Sequence, residues 1–142
     1  MAVVYFDSSA LVKLLMSESG SEVAAEVWDG CDAAVSNRLA YPEVRAALAA
    51  AERNQFITTR ECDDAESAWE QYWGALQPIE LSAAVAQSAG RLSRESRLRA
   101  ADAVHLASAL AMGLDDIVVA TWDQRLHAAF VAAGLRVVPA SI

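Results

Sequence analysis

Four acidic residues, Asp7, Glu43, Asp102 and Asp123, are the chemistry-bearing positions of this 142-residue sequence. Asp7 closes the strand-like run Ala2-Val3-Val4-Tyr5-Phe6. Asp123 follows Ile117-Val118-Val119-Ala120 and the link Thr121-Trp122. Glu43 and Asp102 each lie near the start of a helix-like run. Carboxylates add nothing to a core, and two at about 4 Å repel by roughly 4 kcal/mol at an effective dielectric near 20. Drawn together, they suit a hard divalent cation. Mg²⁺ prefers oxygen ligands, keeps several waters and often takes only one or two direct carboxylates. Beside a phosphodiester, such an ion orients a water nucleophile and offsets charge on the leaving oxygen. Ser9 and Thr121 each stand two residues from an acid, where a hydroxyl can fix a carboxylate rotamer or a bound water.

Helix capping is the competing explanation. Asp102 and Asp123 stand where acids stabilise helix N-termini, and for either alone capping suffices. Glu43 also reads as a first-turn acid that favours the helix dipole. Asp7 is the hardest to explain this way, because Ser8 or Ser9 could cap the next helix equally well.

The elements that must position these residues alternate in type. The unalternating run at 2–6 predicts a buried strand, as in a parallel sheet. A helix carrying Leu11, Val12, Leu14, Leu15 and Met16 follows, then one from Gly20 or Ser21 to Gly30. Residues 33–36 form a short strand, and a long helix runs from Leu39 or Pro42 to Arg53. Thr58 or Thr59 caps a helix reaching Gly74. Residues 76–81 suit an edge strand that tolerates Pro78. Ser82 caps a helix to Ser96, and Asp102 sits in the first turn of the next, which ends at Gly113. Residues 117–120 form a strand, Asp123 caps a helix to Gly134, and residues 136–139 close a single domain over 1–142. Strands alternating with helices imply a parallel sheet covered on both faces. Such sheets bind ligands beyond the carboxyl ends of their strands, where Asp7 and Asp123 stand.

Composition narrows the function classes. Hydrophobic residues make up 55%, enough for a sizeable core. No apolar stretch reaches the roughly 20 residues that span a bilayer, and no basic segment precedes an apolar N-terminal core. A cytoplasmic protein without a membrane role is expected, and two distant thiols, Cys31 and Cys62, fit a reducing compartment. The net charge of −8 argues against broad, non-specific nucleic-acid binding but leaves room for a local basic patch. Arg91, Arg94, Arg97 and Arg99 supply one candidate, spaced so that the first three share part of a helical face. They either reach RNA phosphates beside Asp102 or form a solvated face paired with Glu95.

Four segments resemble those of PIN-domain ribonucleases, especially VapC-type toxins. They are Val4-Tyr5-Phe6-Asp7-Ser8-Ser9-Ala10-Leu11-Val12-Lys13, Tyr41-Pro42-Glu43-Val44-Arg45-Ala46-Ala47-Leu48, Arg99-Ala100-Ala101-Asp102-Ala103-Val104-His105-Leu106-Ala107-Ser108-Ala109 and Val119-Ala120-Thr121-Trp122-Asp123-Gln124-Arg125-Leu126. Each is loose alone, but four in order with suitable spacing are specific. The resemblance implies an α/β PIN-like three-layer sandwich with a five-stranded parallel sheet in the order 3-2-1-4-5. It implies an endoribonuclease dependent on Mg²⁺ or Mn²⁺. Asp7, Glu43, Asp102 and Asp123 would then be catalytic and metal ligands, with Ser9 and Thr121 as supporting polar groups. It also implies a homodimer and a VapB-like antitoxin partner. The alternatives are a catalytically silent PIN-fold binding module and a PIN nuclease outside a toxin–antitoxin pair. A phosphoacceptor domain is disfavoured, since Asp7 is followed by Ser8-Ser9 rather than by a second acid. No nucleophile elbow is present for acyl transfer.

Trp69, Tyr72 and Trp73 form an aromatic stripe that reads as core, with an interface as the alternative. His105 and His127 lack metal-spaced partners and read as ordinary helix residues, His105 as a packed one.

Overall fold

Five short parallel strands run through the middle of the chain in the spatial order β3-β2-β1-β4-β5. The computed structural model describes residues 2–113 and 115–142. In chain order the elements are β1 (Val3–Phe6), α1 (Ser8–Lys13), α2 (Ser21–Gly30), β2 (Ala33–Asn37), α3 (Ala40–Arg53) and α4 (Thr59–Ala75). They continue with β3 (Gln77–Ile79), α5 (Ala83–Glu95), α6 (Ala100–Ala111), β4 (Val118–Ala120), α7 (Gln124–Ala132) and β5 (Arg136–Val138). The expected strand order and the α/β class are both borne out.

Strand β1 lies at the centre because both its faces are apolar. Tyr5 faces one core with Ala103, Leu106, Leu126 and Phe130 from α6 and α7. Val4 and Phe6 face the other, with Leu11, Val44, Leu48 and Trp69 from α1, α3 and α4. Alternate residues of a strand point to opposite faces, so β1 supplies both layers from four residues. The register pairs Phe6 with Ala120 and Tyr5 with Val119, so β1 and β4 end side by side. That alignment puts Asp7 and the segment Thr121–Asp123 next to each other.

Three local expectations change. Asp7 itself, not Ser8 or Ser9, caps α1: its Oδ1 accepts from Ala10 N at 2.9 Å. The cap leaves the serine hydroxyls free to bond elsewhere. The helix expected to carry Leu11 to Met16 stops at Lys13, and Leu14 to Met16 turn back toward α4. The helix holding Arg91 and Arg94 ends at Glu95, and Arg97 sits at φ 55 beyond it. A left-handed residue breaks the helical repeat, so Arg97 does not share a face with Arg91 and Arg94. The aromatic stripe packs inward: Trp69 is fully buried and stacks with Tyr41, and Trp73 meets both.

Candidate active site

Asp7 is buried at 2% exposure where β1 ends. Three donors hold it. Ser9 Oγ donates to Oδ1 at 2.7 Å, Ala10 N to Oδ1 at 2.9 Å, and Thr121 Oγ1 to Oδ2 at 2.6 Å. Ser9 arrives from the first turn of α1, and Thr121 from the residue after β4, so the adjacent strand ends dictate the arrangement. Burial nonetheless raises the Asp7 pKa above its ordinary range, against the opposing pull of His105 and of these hydrogen bonds. Both hydroxyls donate to Asp7, Thr121 reaching across from the end of β4 rather than to the side chain of Asp123. Its Oγ1 meets Asp123 only through the backbone, accepting from Asp123 N at 3.1 Å.

Glu43 stands in the first turn of α3 and is held from two sides. Ser8 Oγ donates to Oε1 at 2.6 Å, and His105 Nε2 lies 2.7 Å from the same oxygen. His105 is buried on α6, and its Nδ1 is 2.7 Å from Tyr5 Oη. Burial pushes the Tyr5 phenol well above its usual range, so it keeps its proton. Tyr5 Oη accepts from Asn37 N at 3.2 Å and lies 2.7 Å from His105 Nδ1. The Glu43 carboxylate can only accept, so His105 Nε2 donates in the bond between them. Burial works against the charge of Glu43, but the His105 and Ser8 bonds outweigh it and lower its pKa.

Asp102 and Asp123 complete the cluster from the N-termini of α6 and α7. Asp123 caps α7, with Oδ1 accepting from Leu126 N at 2.9 Å. Asp102 has no capping bond; Arg99 occupies the cap position of α6 without one. Burial, then the charge of Asp123, and then that of Glu43 raise the Asp102 pKa, while His105 and Arg99 oppose them. The four acids from four distant segments are therefore brought to one end of the sheet. Arg99 and Arg125 line the concavity beside Asp102 and Asp123. Arg91 and Arg94 are exposed on α5.

The donor set is all oxygen, which suits Mg²⁺ or Mn²⁺. Among the described residues, no group of three or more His, Cys, Asp or Glu side chains stands close enough to hold a metal ion without rearrangement. An open set fits an ion that keeps several waters and takes one or two direct carboxylates. The mutual repulsion felt at Asp102 is the electrostatic condition such an ion relieves.

Tyr5, Ser8, His105, Arg125 and Trp122 were not singled out as site residues by their spacing. For His105 a signal existed. Every residue from Ala103 to Ala109 is buried, and a histidine inside such a run must find polar partners.

Residues 4–130 match the profile of the family described as PIN domain. Ribonuclease VapC45 of Mycobacterium tuberculosis is 61% identical over 142 residues, covering 100% of this chain and 99% of its own length. A toxin–antitoxin complex from Klebsiella pneumoniae superposes with a TM-score of 0.69 at 20% identity, covering 100% of both chains. Mycobacterium tuberculosis VapC20, described as a Sarcin-Ricin loop cleaving toxin, superposes with a TM-score of 0.68 at 17% identity, covering 93% of this chain and 95% of its own. The two structural likenesses show the fold, while the profile match and the 61% identity show the family. The chain belongs to the PIN-domain family.

Proposed function

We propose that this chain is a divalent-metal-dependent endoribonuclease acting as the toxin of a toxin–antitoxin pair. The observation that carries the reading is the placement of Asp102 and Asp123 in one concavity, with Thr121 joining the buried Asp7 to the backbone of Asp123. Burial first, and then the charges of Asp123 and Glu43, raise the Asp102 pKa there. Like charges gathered from three elements weaken a fold, and such clusters mark functional sites. The identity to Ribonuclease VapC45 supports RNA as the substrate. The same reading takes the 142 residues as one PIN-like domain working in the cytoplasm. No described helix is long and apolar enough to cross a membrane.

Asp7, Asp102 and Asp123, with Glu43, would hold Mg²⁺ or Mn²⁺. When bound, the ion supplies charge neutralisation at the phosphate and acidifies a water. The chain's residues provide the rest. Ser9 and Thr121 lock the Asp7 carboxylate. Ser8 and His105 take Oε1 of Glu43, leaving Oε2 without a partner among the described residues. In this reading that oxygen would accept a hydrogen bond from the attacking water. Arg99 and Arg125 offer cations to the substrate's phosphates. Hydrolysis adds one water across one P–O bond, with no covalent protein intermediate.

A VapB-like antitoxin and a second copy of the chain are the expected partners. A concavity of mixed character, lined by Leu14, Met16, Phe56 and Tyr72 together with Glu61 and Asp64, supports a protein partner. Phe56 is exposed at 78% at its margin. Incubating total cellular RNA with the protein in Mg²⁺, and again with EDTA, tests the function. Discrete fragments that vanish with EDTA are expected. Intact RNA under both conditions would favour a silent binding module.

A further inference from the structure

Trp122 stands apart from the other tryptophans. Trp28, Trp69 and Trp73 share one aromatic cluster with Phe6, Tyr41 and Tyr72. Trp122 has no aromatic partner among the described residues. It is half-buried and lines two concavities at once. One, of about 380 Å³, is bounded by Arg99, Asp102, Asp123 and Arg125. The other, of about 400 Å³, includes Ser8, Ser9, Lys13 and Glu43. The indole thus borders both halves of the acidic cluster.

Two constraints set its place. Trp122 N donates to Ser9 Oγ at 2.8 Å, and the same hydroxyl donates to Asp7 Oδ1 at 2.7 Å. The backbone of Trp122 is therefore tied through one serine to the central carboxylate. The pyrrole edge of the indole rests on Gly20: a Cβ there would lie 2.5 Å from Nε1 and 2.9 Å from Cε2. Gly20 is also at φ 92, where a side chain is strained. A residue lacking a side chain thus makes room for the indole, at the start of α2.

A single-stranded RNA offers unstacked bases on either side of each phosphate, and aromatic side chains are their usual seats. Arg99 and Arg125 border the first concavity and supply local positive charge in a chain of net charge −8, while Lys13 in the second is paired with Glu18 at 3.0 Å. We propose that Trp122 stacks against the nucleobase adjoining the scissile phosphate and so grips single-stranded RNA at this site. The proposal rests on the ribonuclease reading above.

A kinetic cycle tests it. Cleavage sites are mapped in total RNA with the wild-type protein. The shortest cleaved oligoribonucleotide is then made intact and with an abasic nucleotide on each side of the scissile bond. Kinetics are compared for wild type, Trp122→Phe and Trp122→Leu. Trp122→Leu is expected to raise KM by about tenfold or more, with kcat little changed. Trp122→Phe should recover most of the loss. One abasic position should penalise the wild type by a similar factor and penalise Trp122→Leu no further. Should Trp122→Leu fail to fold, Trp122→Met serves as the variant without a π face. Equal abasic penalties in wild type and variant would overturn stacking while leaving the ribonuclease reading intact. A wild type that cleaves no RNA would overturn both.

Discussion

His105 Nε2 lies 2.7 Å from Glu43 Oε1, joining α6 to α3 within the acidic cluster. The ring is itself fixed by Tyr5 on β1, so the orientation of Glu43 depends on three elements. Polar groups that orient ligands typically cost about 10- to 100-fold in activity or metal affinity when removed. His105→Ala is expected to fall in that range, and Tyr5→Phe to lose less. Rates on a cleavable RNA, with circular dichroism melts alongside, check this. Equal activity in His105→Ala would remove His105 from the positioning of Glu43.

The buried charge of Asp7 is expected to weaken the metal-free fold. Its pKa is raised in the folded protein, first by burial. A raised pKa means that the folded state prefers the protonated form. That preference stabilises the protein below the ordinary aspartate range and is lost as pH rises through the folded value. At neutral pH, Asp7→Asn should therefore melt higher than the wild type in EDTA, by on the order of 1 kcal/mol of stability. The advantage should shrink as pH falls through the carboxylate range. A lower melting temperature for Asp7→Asn at neutral pH would contradict this.

Mn²⁺ should act in the opposite sense. A ligand bound only by the folded state stabilises it, by about 2.7 kcal/mol at a concentration 100 times its Kd. Thermal melts with rising Mn²⁺ should shift upward for the wild type and much less for Asp102→Asn. Superimposable shifts would place the ion elsewhere.

Arg99 is expected to matter more for RNA affinity than Arg91 or Arg94. It borders the concavity of Asp102 and Asp123, whereas the other two are exposed along α5. Removing one phosphate contact lowers the slope of log K against log salt by about 1. Arg99→Ala should show that change, and Arg91→Ala a smaller one. The same slope in wild type and Arg99→Ala would exclude the contact.

The alternation of strands and helices and the positions of the four acids were legible in short-range patterns, whereas the strand order 3-2-1-4-5 came only from the resemblance to PIN-domain ribonucleases. Buried strands read as unbroken apolar runs; Asp7 follows one directly, and Asp123 follows another after Thr121-Trp122. The adjacency of those strands then unites the acids, as Phe6 pairs with Ala120. The identity of the α1 cap was not legible, since Asp7, Ser8 and Ser9 are all competent caps and only tertiary hydrogen bonds decide among them. Arg97 failed for a related reason: a left-handed residue after α5 breaks a periodicity that sequence spacing assumes. His105 stayed hidden because Tyr5, 100 residues away, and Glu43, 62 residues away, are its partners.

The most direct test compares wild type and Asp7→Asn on total cellular RNA in Mg²⁺, with 5′ ends mapped after a timed incubation. Asp7 is the carboxylate held by Ser9, Ala10 and Thr121, and the substitution preserves its shape. Discrete cleavage by the wild type and none by a folded Asp7→Asn is the predicted result. Full cleavage by Asp7→Asn at matched Mg²⁺ would contradict the assignment of the site.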